Sequence, residues 1–231
     1  KYDQIHSSVF LMIGFPGETM SMIRDTIEVS SQMDLDWYRI QQLQPLPNTP
    51  LYDSMVAQGL IQGVGSKEVR FMAGPYGKQA EIERSHHLTS ENFGEAFRSI
   101  PLDAVPNPEQ LTDIWFYMNY HLNFKPLFFE SRPVKLAQKL EYVTNISDLV
   151  APENAIAMYF QGYLQNQVNG SIDPRVIENL EQRLSLSPYW SARFRDFDLS
   201  PNHLKTREFP SYEKPTPPVH EALSPTSAAT I

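Results

Sequence analysis

Gly14, Pro16, Gly17 and Glu18 stand together where an apolar run, Val9-Phe10-Leu11-Met12-Ile13, gives way to a helical pattern opening at Thr19. Glycine at position 14 lets the backbone approach a ligand or take a positive φ. Pro16 presets the first central position of a turn, and Gly17 supplies the positive φ that a type II turn needs at the second. Glu18 falls just before a helix N-terminus, where an anion is stabilised and backbone N–H groups point outward. In a parallel α/β sheet such a loop lies at the carboxyl ends of the strands, where ligands bind. A carboxylate there can accept hydrogen bonds from ribose hydroxyls or an amino group. The same residues also make an ordinary Pro-Gly turn and helix start, and spacing alone leaves both readings open.

The elements that must position this loop read as alternating strand and helix. A first strand is expected from Ile5 to Ile13, its unbroken apolar part suiting a buried parallel strand. Thr19 is the expected N-cap of a helix to Met33, with Met20, Ile23 and Ile27 on one face. A second strand runs from Trp37 to Gln44, and a short helix from Leu51 to Gln58 is closed by Gly59. Two strands joined by one helix form a parallel βαβ unit. The second strand ends in another loop, Gln44-Pro45-Leu46-Pro47-Asn48-Thr49-Pro50-Leu51-Tyr52, on the same rim as the first. Two strands need neighbours to be stable, so most of the site is expected to lie in sequence preceding Lys1.

Taken together, Gly14-Phe15-Pro16-Gly17-Glu18-Thr19 and Pro45-Leu46-Pro47-Asn48-Thr49-Pro50-Leu51-Tyr52 resemble the last β/α loops of the radical S-adenosylmethionine enzymes. The narrower likeness is to the branch often carrying a cobalamin-binding domain and to the related methylthiotransferases. Asp25-Thr26 in the intervening helix suits that pattern. Asn48 stands where glycine is usual, a change that asparagine's tolerance of left-handed φ accommodates. The resemblance implies an α/β fold: the last β/α units of a partial TIM-type barrel, followed by a mainly α-helical C-terminal extension. It also implies that Gly14, Phe15, Pro16, Gly17 and Glu18, with Leu43, Gln44 and Pro45, pack against the adenosine of S-adenosylmethionine. The family's CxxxCxxC loop for a [4Fe–4S] cluster is absent. The expectation is therefore a C-terminal part whose partner is the N-terminal remainder of the same enzyme. That remainder would hold the cluster and any cobalamin, and this chain by itself would have no radical activity. No catalytic residue and no metal ligand is assigned here, and the small-molecule substrate is not specified.

Composition narrows the alternatives. The chain has 231 residues and no cysteine, which excludes disulfides, thiolate nucleophiles and cysteine-held metals within it and is compatible with a cytoplasmic protein. A net charge of −8 argues against a nucleic-acid surface, and no apolar run has membrane-spanning length. No P-loop and no Ser/His/Asp order is present. His86-His87 is adjacent rather than at metal spacing, and Glu81-Ile82-Glu83-Arg84 reads as a solvated charged segment. The competing reading is a non-catalytic α/β scaffold carrying a helical protein-interaction module.

The expected organisation is barrel strands over 1–60, a loop-rich connection over 61–106, a helical extension over 107–199 and a disordered, proline-rich tail over 200–231. In the connection only Glu91 to Arg98 has helical character. Asn107-Pro108 opens a helix with a Leu111, Ile114, Trp115, Met118, Leu122 stripe. Pro133, Pro152, Asp173-Pro174 and Ser187-Pro188 open four more. The aromatic run from Trp115 to Phe124, and Tyr159, Phe160 and Tyr163, read as core. Tyr117, Tyr120 or His121 lining a substrate cavity is the sharper alternative.

Overall fold

The apolar run ahead of the first loop forms β1 (Ser8–Ile13) in a computed structural model that describes residues 3–43, 45–60 and 99–212. Helix α1 (Met20–Gln32) follows, its N-cap Thr19 accepting from Met22 N, and then β2 (Trp37–Gln42). The strands pair in parallel with Phe10 opposite Arg39 and Met12 opposite Gln41. The first strand starts later than expected because Ser7 O already receives the Asp36 and Trp37 amides of the entry to β2. The second stops earlier, at Gln42, close to Pro45, which has no N–H for a ladder. Helix α2 (Pro50–Ala57) is capped by Thr49. It ends in a Schellman turn, Gly59 at φ +71° with Gly59 N donating to Val56 O and Leu60 N to Met55 O.

The helical part begins with α3 (Pro108–Asn119), where Asn107 and Gln110 form a reciprocal capping box. A π-helical turn (Tyr120–Phe124) and a 3₁₀ turn (Lys125–Phe129) continue it. Then come α4 (Pro133–Asn145), a second π-helical turn (Ile146–Val150), α5 (Ala155–Asn169), α6 (Pro174–Leu186), α7 (Pro188–Asp196) and α8 (Pro201–Thr206). The structure is thus mixed α/β and mostly helical, with two strands among the described residues. Ile13, Ile23 and Ile40 from the βαβ unit join Trp115, Met118, Tyr159, Phe160 and Trp190 in one continuous core. No helix among the described residues is long and apolar enough to cross a membrane.

Two expectations need correction. The third helix of the extension starts at Ala155 rather than Pro152, because the Asn154 side chain is the group that accepts from Ala157 N, at 3.1 Å. The tail does not lose structure at residue 200. Ser200 caps α8, and Leu204 is buried over Gly162, where an added Cβ would sit 3.0 Å from Leu204 Cδ1. Phe209 meets the Tyr163 ring at 4.8 Å, and Tyr212 Oη donates to Phe197 O at 2.9 Å. Single anchors at irregular spacing hold this stretch, so it carries no periodic pattern. The expectations for Glu81–Arg84, His86-His87, Glu91–Arg98 and the end of the tail fall outside the described residues.

Candidate functional site at the carboxyl ends of the strands

The first loop is a type II turn as the sequence suggests. Glu18 N donates to Phe15 O at 2.9 Å across Pro16 and Gly17, and Gly17 has φ +79°. Gly14 has φ +91°, which a side chain would strain. The Glu18 carboxylate turns back on its own loop, its Oε2 accepting from Gly14 N at 2.5 Å and Phe15 N at 3.1 Å. The helix N-terminus differs from expectation, since its amides do not point outward. Met20 N donates to Ala104 O at 2.9 Å and Ser21 N to Leu102 O at 2.8 Å, so backbone returning from the connection fills the position an anion would take. Gly14 is also approached from inside the protein, with Leu111 Cδ1 3.1 Å from where its Cβ would stand. The accessible part of the loop is Phe15, which is exposed, and Gly17, whose Cβ position has nothing within 4 Å.

The second loop starts directly beside the first, Leu43 N donating to Ile13 O at 2.7 Å. Leu43 packs against Tyr52 and Met55, and Pro45 is buried. Gln44 lies outside the described residues. Asn48 takes φ +65°, the left-handed conformation expected of it, and Thr49 Oγ1 donates to Leu46 O at 2.8 Å. The structure therefore brings Gly14–Glu18, Leu43 and Pro45 to one rim.

The two edges of the sheet differ. Ser7 O and Ile13 O both accept from β2 or its flanks, and alternate residues of a parallel ladder point their backbone groups to opposite edges. Ser8, Phe10 and Met12 therefore present N–H and C=O away from β2, on an edge where no further strand pairs among the described residues. The outer edge of β2 is closed by side chains. Asn123 accepts from Tyr38 N at 2.7 Å and donates to Tyr38 O at 2.9 Å, as a neighbouring strand would. Trp115 Nε1 donates to Ile40 O at 2.7 Å, and Gln42 Nε2 to Thr112 Oγ1 at 3.2 Å. Asn123→Ala orphans both Tyr38 groups in the core and is expected to cost about 2 kcal/mol, read as a lowered midpoint in urea with an unchanged slope.

Sequence reasoning missed one set of residues. Phe10, Met12, Arg39 and Gln41 share the sheet face opposite Val9, Leu11, Tyr38 and Ile40, and all four are exposed. The available signal was Arg39-x-Gln41, a period-2 polar pair inside a strand assigned to a parallel sheet. The aromatic run, by contrast, is core. Tyr120 stacks on Phe197 at 3.6 Å, His121 lies 4.0 Å from the Tyr117 ring, and Tyr159, Phe160 and Tyr163 are buried. Among the described residues no three His, Asp or Glu gather as a metal site. Comparison of the chain with family models, with curated proteins and with solved structures finds no match.

Proposed function

We propose that β1 and β2 are closing strands of a radical S-adenosylmethionine barrel and that this chain supplies cofactor-binding loops and a helical cap. The parent reaction is then a radical-initiated modification of a substrate. The observation that carries the reading is the asymmetry of the sheet: its β2 edge is finished by Asn123 and Trp115, its β1 edge is open, and both motif loops leave one rim. A terminal strand pair of a larger parallel sheet has this form. The residues fit part of S-adenosylmethionine. Exposed Phe15 and the uncrowded backbone at Gly17 suit a flat, backbone-recognised group such as adenine, and Glu18 sets the loop's shape. They do not fit an iron–sulfur cluster, because the chain has no thiolate, so on this reading the cluster's ligands belong to sequence outside this chain. Once bound to a cluster, S-adenosylmethionine supplies the family's radical; the residues here would hold the adenosine and exclude water.

The deciding experiment is to sequence the coding region that precedes the Lys1 codon. An in-frame CxxxCxxC motif supports the reading, and an upstream region without cysteines removes it. A binding measurement adds to this. Glu18→Ala in the enzyme carrying these strands is expected to weaken S-adenosylhomocysteine about tenfold, roughly 1.4 kcal/mol, because Gly14 N and Phe15 N lose their shared acceptor. Unchanged affinity by calorimetry would leave Glu18 a helix-start residue.

The second reading, a non-catalytic scaffold with a helical interaction module, draws on a specific observation as well. The Met20 and Ser21 amides and the Glu18 carboxylate are already engaged within the protein.

A further inference from the structure

Parallel strands normally bury both faces, yet helix α1 and the core cover one face of this sheet, while on the other they reach only Trp37, under Tyr142 and Phe124 at the start of β2. Beyond Trp37, toward the loop rim, this second face carries Phe10, 69% exposed, and Met12, 44% exposed, opposite Arg39 and Gln41. A covering helix layer would be apolar, and Arg39 would then be a buried charge without a counter-ion, an arrangement costing several kcal/mol. Neither a helix nor a packed core suits this face. A polar, ligand-holding cavity does.

We propose that Arg39 is the specificity-determining contact for an anionic group, a carboxylate or phosphate, on the substrate. This rests on the barrel reading, in which the face becomes the lumen. The Arg39 guanidinium sits over the Phe10 ring at 5.2 Å, a cation–π contact that fixes the fork and leaves its edge free for a bidentate oxyanion. No carboxylate of a described residue pairs with it: its charge is felt by Tyr142, whose hydroxyl it helps to ionise against the larger opposing effect of burial. Gln41 lies two residues on, about 6.6 Å toward the loop rim along the same face, and offers an amide to the ligand's next polar atom. Met12 and Phe10 provide the apolar wall. On a chain of net charge −8, a lone arginine on an otherwise neutral strand face selects an anion by charge complementarity.

The test uses the isotope-labelled chain itself, titrated with phenyl phosphate, phenylacetate and benzylamine and followed by NMR. Either anion is expected to bind at roughly millimolar concentration and to shift Phe10, Met12, Arg39 and Gln41, with benzylamine inactive. The stronger of the two anions identifies the acid group. Arg39→Met should abolish these shifts while the same change at exposed Arg195 leaves them in place. Shifts spread equally over other surface arginines, or none at the sheet face, would overturn the assignment. The barrel reading stands or falls separately, on the upstream coding sequence.

Discussion

Lys135→Met is expected to destabilise the protein by about 3–5 kcal/mol, a fall in melting midpoint of roughly 10 °C for a chain of this size. Lys135 and Asp36 are 4% and 7% exposed, and Nζ lies 2.8 Å from Asp36 Oδ2 and 2.6 Å from Ile5 O. The same Oδ2 accepts from Ser7 N at 2.8 Å and Ser7 Oγ at 2.9 Å. Helix α4 is thereby bolted to the entry of both strands. Methionine keeps the apolar stem but leaves a buried carboxylate without its cation. Lys139 does not replace it, since its Nζ reaches only Asp36 O, at 3.4 Å. Adding Asp36→Leu should restore part of the loss, because it removes the unpaired carboxylate while Ser7 N and Ile5 O still lack the partners they had. A single variant that loses under about 1 kcal/mol in urea would mean the pair behaves like a surface bridge.

The pair also gives a pH dependence. Burial acts to raise the Asp36 carboxyl, but the Lys135 ammonium and the Ser7 donors outweigh it and hold the group at about 2, below its ordinary 3.8. A lowered carboxylate contributes stability that is complete above pH 3.8 and is lost as pH falls through 2, about 2 kcal/mol in all. This component should vanish from the acid limb of the Asp36→Leu, Lys135→Met protein.

The second large effect is expected in mild acid. Burial, with a smaller contribution from the Lys125 charge, lowers His121 from its ordinary 6.5 to about 3. The imidazole is packed among Tyr117, Tyr120 and Phe197, with Lys125 the nearby cation. The unfolded chain takes up a proton below pH 6.5 that the folded protein refuses until about 3. Stability is therefore complete above 6.5 and falls as pH drops through that window, by up to about 5 kcal/mol. His121→Phe removes the titration and keeps a ring in the stack, so urea midpoints should be nearly flat between pH 6.5 and 4. Equal acid sensitivity in wild type and variant would place the titrating group elsewhere. The His121 and Asp36 windows overlap only between pH 3.8 and about 3, so the two variants separate them.

The loop turns were legible because their chemistry is local. Pro16-Gly17 sets its own turn, Asn48 tolerates a left-handed φ, and Thr19, Thr49, Asn107, Asp173 and Ser187 cap amides two or three residues ahead. The part of the site that sequence misjudged depends on distant chain. The helix opening at Thr19 reads as one whose first amides point outward, yet those of Met20 and Ser21 are taken by Ala104 and Leu102, and Gly14 is covered by Leu111. Arg39 and Gln41 went unnoticed because a period of two has no functional meaning until one face is seen to be uncovered.

By itself the sequence determined the parallel βαβ unit, the two loops on its rim, most of the helix starts and the absence of any thiolate chemistry, since each follows from residue type or from bonds spanning a few positions. Only the tertiary structure decided which edge of the sheet is finished, which face is open and where the ordered tail docks. Asn123 closes on Tyr38 across 85 residues, Trp115 on Ile40 across 75 and Lys135 on Asp36 across 99. Contacts at such separations leave no periodic trace in sequence. They exist because buried backbone and charge must find partners wherever the packed chain brings them.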